Sequence, residues 1–170
     1  MESLKIIVFA TLAAMTYGIL HDQVTAHLCV EYFTIAHPPV FPTTSPFLLA
    51  LGWGVIATWW VGMPLGVLLA IVARAGRAPR LTLADLRGAI LRLMLVSAIG
   101  ALLAGIVGAT ATALGAVTIS TYWASVIPPA KHVAFLADAW AHGASYLICA
   151  VGGLVVIGYA IDRRRQLRRA

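Results

Sequence analysis

Apolar residues run along this chain in four long stretches, not in the short alternations of a half-buried sheet. A bilayer core needs about 20 predominantly apolar residues per helix, at about 1.5 Å of rise each. The stretches predict helices over about 4–36, 47–73, 83–117 and 130–165, each long enough to span. The expected fold is therefore an all-α membrane protein, a single four-helix domain covering residues 1–170, with helices 1 and 4 extending beyond the outer face.

The connections support these cuts. His37-Pro38-Pro39-Val40-Phe41-Pro42 ends helix 1, because proline removes a backbone donor and biases the preceding residue away from helix. Thr44 or Ser45 can cap helix 2, with Pro46 in its first turn. Thr82-Leu83-Ala84-Asp85 reads as a capping box with Asp in place of the usual Glu or Gln, and Pro128-Pro129 precedes helix 4. Helix 3 carries Ala101, Gly105, Gly108, Thr112 and Gly115 at spacings that let helices approach closely in lipid, a packing feature without implied chemistry. A cleaved signal peptide would explain the short basic start, but the helical pattern continues through His21 to Glu31 without a break, so the first stretch is read as a retained helix.

Composition agrees. Of 170 residues, 61% are hydrophobic and only 11% charged, against about a quarter charged in soluble domains. The formal net charge of +6 suggests nucleic acid at first sight. Its distribution excludes that reading: Lys5, the Arg74–Arg92 group and the Arg163–Arg169 tail sit at the edges of apolar runs, as topology signals do. Placing both termini in the cytoplasm leaves only Lys131 outside. The Arg tail also suits contact with anionic membrane lipid. Cys29 and Cys149 make no disulfide framework; both read as buried thiols.

The polar residues that interrupt the apolar runs are segregated. All five histidines, His21, His27, His37, His132 and His142, fall towards the outer side, with Asp22, Glu31 and Asp138. Glu2, Asp85 and Asp162 fall at the opposite helix ends, as charge balance. Counted by helix rise from Lys5, His21 stands about 24 Å up, Thr25 about 30 Å and Glu31 about 39 Å. Counted from Arg163, His142 stands about 32 Å up and Asp138 about 38 Å. The two sets are level, in the outer leaflet and at its interface, where ionisable groups are costly and mark function by default.

Angular position sharpens this. At about 100° per residue, Asp138, His142, Ser145 and Tyr146 form a polar stripe on helix 4. His21, Thr25 and Tyr32 share a face of helix 1, flanked by Glu31 on one side and by Asp22 and Cys29 on the other. Imidazole and carboxylate together suit a transition metal, Fe, Cu, Zn or Mn, whose charge offsets the burial of carboxylates. His21, Glu31, Asp138 and His142 are the expected ligands. Asp22, His37 and His132 are further ligands or supporting groups, and Thr25, Ser145 and Tyr146 can hydrogen-bond to ligands. Two alternatives stay open: a metal-free Asp–His pair serving structure or proton transfer, and a haem b between His21 and His142. His27 and Glu31 are expected to pair at the surface. The tryptophans and tyrosines read as interfacial anchors, with Trp59-Trp60 packing or facing lipid. No P-loop, Rossmann, HExxH or GxSxG pattern is present.

The stretches His21-Asp22-Gln23-Val24-Thr25-Ala26, Cys29-Val30-Glu31-Tyr32-Phe33-Thr34-Ile35 and Ala134-Phe135-Leu136-Ala137-Asp138, with Trp140-Ala141-His142, resemble a family of small uncharacterised bacterial integral membrane proteins. The resemblance implies a bacterial cytoplasmic (inner) membrane protein with four helices and transfers no activity. The sequence thus points first to a membrane metal-binding protein whose site, redox or hydrolytic if it is catalytic, lies near the periplasmic side. The other classes are a non-catalytic accessory subunit of a larger membrane complex, or a proton-coupled small transporter using Asp138 and His142 in a homo-oligomer.

Overall fold

The structure is a computed structural model, and it describes residues 1–169. Among these residues there is no strand. Helix α1 spans Glu2–Leu28, α2 Val30–Thr34, α3 Pro46–Ile56, α4 Trp59–Arg74, α5 Leu83–Ala113, α6 Thr121–Val126 and α7 His132–Arg169, the last preceded by a 3-10 turn at Pro129–Lys131. Four stretches are long and apolar enough to cross a membrane: α1, the α3–α4 pair, α5, and α7 with its leading turn. Large apolar side chains stand exposed along them, such as Leu12, Trp60, Leu102 and Leu154. A water-soluble monomer rarely presents so continuous an apolar surface, whereas a lipid-facing one must.

Helix α1 packs against α3 and α4 on one side, and α5 packs against α7 on the other; α1 also meets α5, and α4 meets α7. The first pairing depends on missing side chains. A Cβ placed on Gly54 would come within 2.5 Å of the Ile19 backbone, and one on Gly18 within 2.6 Å of the Gly54 carbonyl oxygen. Only glycine at both positions allows that backbone approach.

The basic end of the bundle is tied together by hydrogen bonds. Glu2 pairs with Lys5 at 2.6 Å and accepts from the Leu83 backbone N–H at 3.2 Å. The Arg164 guanidinium donates to the carbonyls of Ala75, Ala78 and Pro79 at 2.6, 3.0 and 2.8 Å, and to that of Val72. It thereby closes the end of α4 and the turn that follows, where Gly76 adopts a positive φ of 75°. The expected capping box forms, with Thr82 and Asp85 satisfying each other's end of α5. Pro46 occupies the first turn of α3, and Ser45 caps it through the backbone alone.

Three boundaries differ from the periodicity. Helix 1 does not run unbroken to residue 36: at Cys29 the backbone leaves the helix (φ −145°, ψ 86°) and restarts as α2. No proline or glycine marks the break. It is a tertiary effect, for it lets Tyr32 pack on Phe135 and His142, with ring centroids 5.5 and 4.7 Å away. The second stretch is interrupted at Ala57–Thr58, where the Thr58 hydroxyl donates to the Gly54 carbonyl at 2.5 Å. Helix α5 stops at Ala113 instead of 117, because Gly115 takes φ 73° and turns the chain back, the Ala116 N–H bonding the Ala111 carbonyl at 2.9 Å.

Two apolar cores result. One, at the basic end, centres on Ile6, Leu69, Leu86, Ile90 and Val156. The other lies around Ala26, Phe33, Leu49 and Trp53, with Cys29, Ile127 and Phe135 beside it. The buried polar side chains Asp22, Thr25, Ser97, Asp138 and Ser145 lie on α1, α5 and α7. The two cysteines are free, and Cys149 hydrogen-bonds Ser97 at 3.2 Å.

The glycine contact is testable. Gly54→Ala is expected to destabilise the bundle by about 1–3 kcal/mol, as overpacking does. Gly88→Ala, where nothing lies within 4 Å of the added carbon, should stabilise by roughly 0.5–1 kcal/mol. Thermal unfolding in detergent should therefore move in opposite directions for the two; equal shifts would refute the close crossing.

Candidate metal centre

The centre is built where α1 and α7 come level. His21 and Asp22 are consecutive on α1, so they project from adjacent sides of the helix; His142 reaches them from α7. Each offers one ligand atom, and these atoms lie within 4.8 Å of one another. The His21 and His142 rings meet edge to face with centroids 4.6 Å apart. Asp22 is buried, with 5% of its surface exposed, and the two histidines are half-buried.

Hydrogen bonding fixes the tautomer of His142. Its Nδ1 lies 2.8 Å from the Asp138 carbonyl oxygen, which can only accept, so Nδ1 carries the proton. The neutral ring then presents a lone pair at Nε2, and Nε2 lies 3.3 Å from Asp22 Oδ1. Two acceptors facing one another at that distance repel unless a cation, a proton or a metal ion, stands between or beside them. His21 Nε2 adds a third nitrogen or oxygen at this spot, buried and without any hydrogen-bond partner. Buried nitrogen atoms are rarely left so, and a bound metal is one of the few things that would satisfy this one.

A cavity of about 90 Å³ adjoins the three residues, lined further by Tyr17, Tyr32, His37, Trp53, Thr58 and Ser145. It has room for a few waters, each occupying roughly 30 Å³ in the liquid. His37 reaches its wall from the loop after α2. Its Nδ1 donates to the Tyr32 carbonyl at 2.8 Å, and its ring stacks on Phe33 (5.5 Å) and tilts against Trp53 (4.6 Å). Burial, with a smaller contribution from nearby His142, holds the His37 pKa below the ordinary histidine value.

The remaining expected residues separate into two groups. Ser145 stays at the cavity, 2.7 Å from the Tyr17 hydroxyl, and Tyr146 donates to the Ala57 carbonyl at 3.3 Å across the α3–α4 interruption. Thr25 is buried and turned back on its own helix, donating to the His21 carbonyl at 3.3 Å. Glu31, His132 and Asp138 are not in the cluster. Glu31 lies 3.5 Å from both the Lys131 ammonium and the Cys29 thiol, because the break at Cys29 carries it off the His21 face. Burial acts to raise its pKa, but the backbone, Cys29 and Lys131 outweigh burial and hold it below the usual carboxylate range. The expected pair with His27 does not form: His27 bonds the Gln23 carbonyl at 2.7 Å. His132 is bound to the Ile127 carbonyl at 3.0 Å. Asp138 is 1% exposed, and neither carboxylate oxygen has a partner.

Asp22, expected as a further ligand or a supporting group, stands at the centre with His21 and His142. The sequence reading passed over Tyr17, which lies one turn before His21 and stacks on it at 5.8 Å. The i,i+4 spacing was the available signal. Comparison with protein-family models, curated proteins and solved structures finds no match to the chain. What the centre can do rests on its own chemistry.

A histidine held neutral by burial makes stability depend on pH with a known sign. The unfolded chain takes up the proton first, so folded stability falls as pH drops through the ordinary histidine range. Lowering pH from about 7.5 to about 5.5 should therefore lower the unfolding temperature. His37→Phe keeps the ring contacts with Phe33 and Trp53 and should flatten part of that slope. Beside His37 stand His142, Asp22 and the Tyr32 carbonyl; an unchanged slope would show that His37 is not the group responsible.

Proposed function

We propose that this protein is a multi-pass membrane protein that binds one transition-metal ion through His21, Asp22 and His142, with the site towards the periplasmic side of a bacterial inner membrane. The observation that carries the reading is the convergence of three ligand atoms within 4.8 Å, among them a buried His21 Nε2 without a partner and a His142 Nε2 that faces Asp22. Two nitrogens and one carboxylate suit Fe, Zn, Mn or Cu, and the adjoining cavity leaves room for water or a small ligand on the ion. The bound ion would supply Lewis acidity or redox capacity there. Around it, Asp138 fixes the His142 ring through its carbonyl, Tyr17 packs on His21, and Tyr32, Phe33 and Trp53 restrict access from the far side.

Orientation follows from the basic residues. Lys5, the turn around Arg74–Arg80 and the Arg163–Arg169 helix end all belong to one end of the bundle, and the bias of such residues to the cytoplasm sets both termini there. The bacterial location rests on the family resemblance carried by the stretches around His21, Glu31 and Asp138.

A haem b is the weaker cofactor reading, since a cavity of about 90 Å³ beside two imidazoles in edge-to-face contact is far too small for a macrocycle. The second reading worth keeping is a metal-free proton pair, because Asp22 and His142 face each other directly at 3.3 Å. An accessory-subunit role draws on no feature of the site.

Elemental analysis of protein purified in detergent without chelators separates these readings. Near-stoichiometric Fe, Zn, Mn or Cu is expected in the wild type, falling by at least about tenfold in His142→Ala and Asp22→Asn, the usual scale for losing a ligand or its support. Glu31→Gln should retain the metal. A metal-free wild type would overturn the proposal in favour of the proton pair, and a Soret band would move the case to haem.

A further inference from the structure

A second feature lies on the other side of Asp138. A groove of about 1060 Å³ runs between α1 on one wall and α5 with α7 on the other. Along α1 it extends from Phe9 to Leu28, about 28 Å by helix rise. Its far wall is shallow because it is built from small residues, among them Ala98, Ala101, Gly105, Ala134 and Ala137. Most of its lining is apolar, and no lysine or arginine contributes to it. Its polar side chains, Thr16, Tyr17, His21, Thr25 and Asp138, run from its middle towards one end.

Asp138 is the informative member. It is 99% buried, it lines this groove, and both of its carboxylate oxygens lack partners. A carboxyl left in that state costs several kcal/mol in an apolar medium. Neither α1 nor α5 sends a donor to it, and its own backbone carbonyl is already used by His142. No described side chain supplies a partner, and the groove that Asp138 lines gives a route for one from outside the chain.

The chemistry of the partner follows from what is present. The groove demands a long apolar tail. The absence of any cation excludes a phosphate head, which would face a carboxyl with nothing to balance it. The unpaired atoms require hydroxyl donors, and a diacylglycerol brings one hydroxyl with two ester carbonyls, which can only accept. A phenolic hydroxyl is a stronger donor than an alcohol and sits on a flat ring, suited to the Tyr17–His21 pair of rings, whose centroids are 5.8 Å apart. We infer that the groove binds a prenylated hydroquinone, with a ring hydroxyl donating to Asp138 and the tail lying along α1 and α5. The oxidised quinone, which carries carbonyls only, is the poorer ligand. This inference stands on Asp138 and the groove; it needs no bound metal, although His21 lines both features.

The test is native mass spectrometry of detergent-purified protein, kept anaerobic, with a hydroquinone bearing one short prenyl chain. Wild-type protein is expected to retain one hydroquinone, and to bind the matching quinone, a diacylglycerol and phosphatidylglycerol at least about tenfold more weakly, the scale of one charge-assisted hydrogen bond. Asp138→Leu should lose the preference for hydroquinone. Ala98→Phe, which places a ring in the groove from an exposed position on α5, should weaken hydroquinone binding while leaving the fold and the metal content unchanged. Stripping the metal with chelator should leave the binding intact, so failure here and failure of the metal site are distinguishable. Equal retention of phosphatidylglycerol, or full hydroquinone binding by Ala98→Phe, would overturn the inference and leave the groove a surface for bulk lipid.

Discussion

A bilayer core offers no water to a buried polar group, so each polar side chain placed inside this bundle must find its partner in the protein or in something bound to it. That constraint organises the structure. Ser97 pairs with Cys149, Ser145 with Tyr17, and Thr25 and Thr58 turn back on their own helices. Groups that protein atoms could satisfy are satisfied locally and cheaply. What is left over among the described residues is small and specific: Nε2 of His21, beside the His142–Asp22 pair, and the two oxygens of Asp138. All three atoms belong to His21 and Asp138, side chains that can bind a proton or a cation. In a bundle that pairs its other buried polar groups so thoroughly, these atoms are where an external proton, ion or ligand would be felt most strongly.

The packing that holds those groups level is less conspicuous and equally necessary. His21 and Asp22 can meet His142 only if α1 is held at a fixed depth, and the Gly18–Gly54 crossing fixes it against α3 while Glu2 anchors its start to α5. At the other end, Arg164 gathers the carbonyls that α4 and the following turn would leave unpaired, and so fixes α7 along the same axis. Registers of α1 and α7 are thereby set at the basic end, far from the residues that depend on them.

How much of this could be read from the chain varies with the range of the force involved. The four spans were legible because apolar length is a one-dimensional property, and the Thr82–Asp85 cap because it acts over one turn. The level match of His21 with His142 was also legible, since helix rise is constant and both helices are anchored by basic ends. The break at Cys29 was not. Nothing in Leu28-Cys29-Val30 opposes helix; the chain leaves it because Tyr32 and Phe33 gain contacts with Phe135, His37 and His142 that an unbroken helix would forfeit. Because the break changes the direction of everything after it, Glu31, assigned to the ligand face on continuous periodicity, leaves that face for Lys131.

The same break explains why Asp22 and not Glu31 completes the cluster. A carboxylate beside His21 in sequence stays beside it whatever the chain does later, whereas one ten residues on depends on every intervening dihedral. Asp138 shows the complementary case. It stands one turn before His142 on an unbroken helix, so spacing put it at the centre, yet its backbone carbonyl and its carboxylate serve different sides of α7. The carbonyl orients the His142 ring towards α1 and the cavity, while the carboxylate lines the lipid-facing groove. Tyr17, His21 and Met94 line both the cavity and the groove, so it is the α1 imidazole that stands between them. A metal in the cavity and a hydroquinone in the groove would therefore meet at His21, whose ring lies 4.6 Å from that of His142.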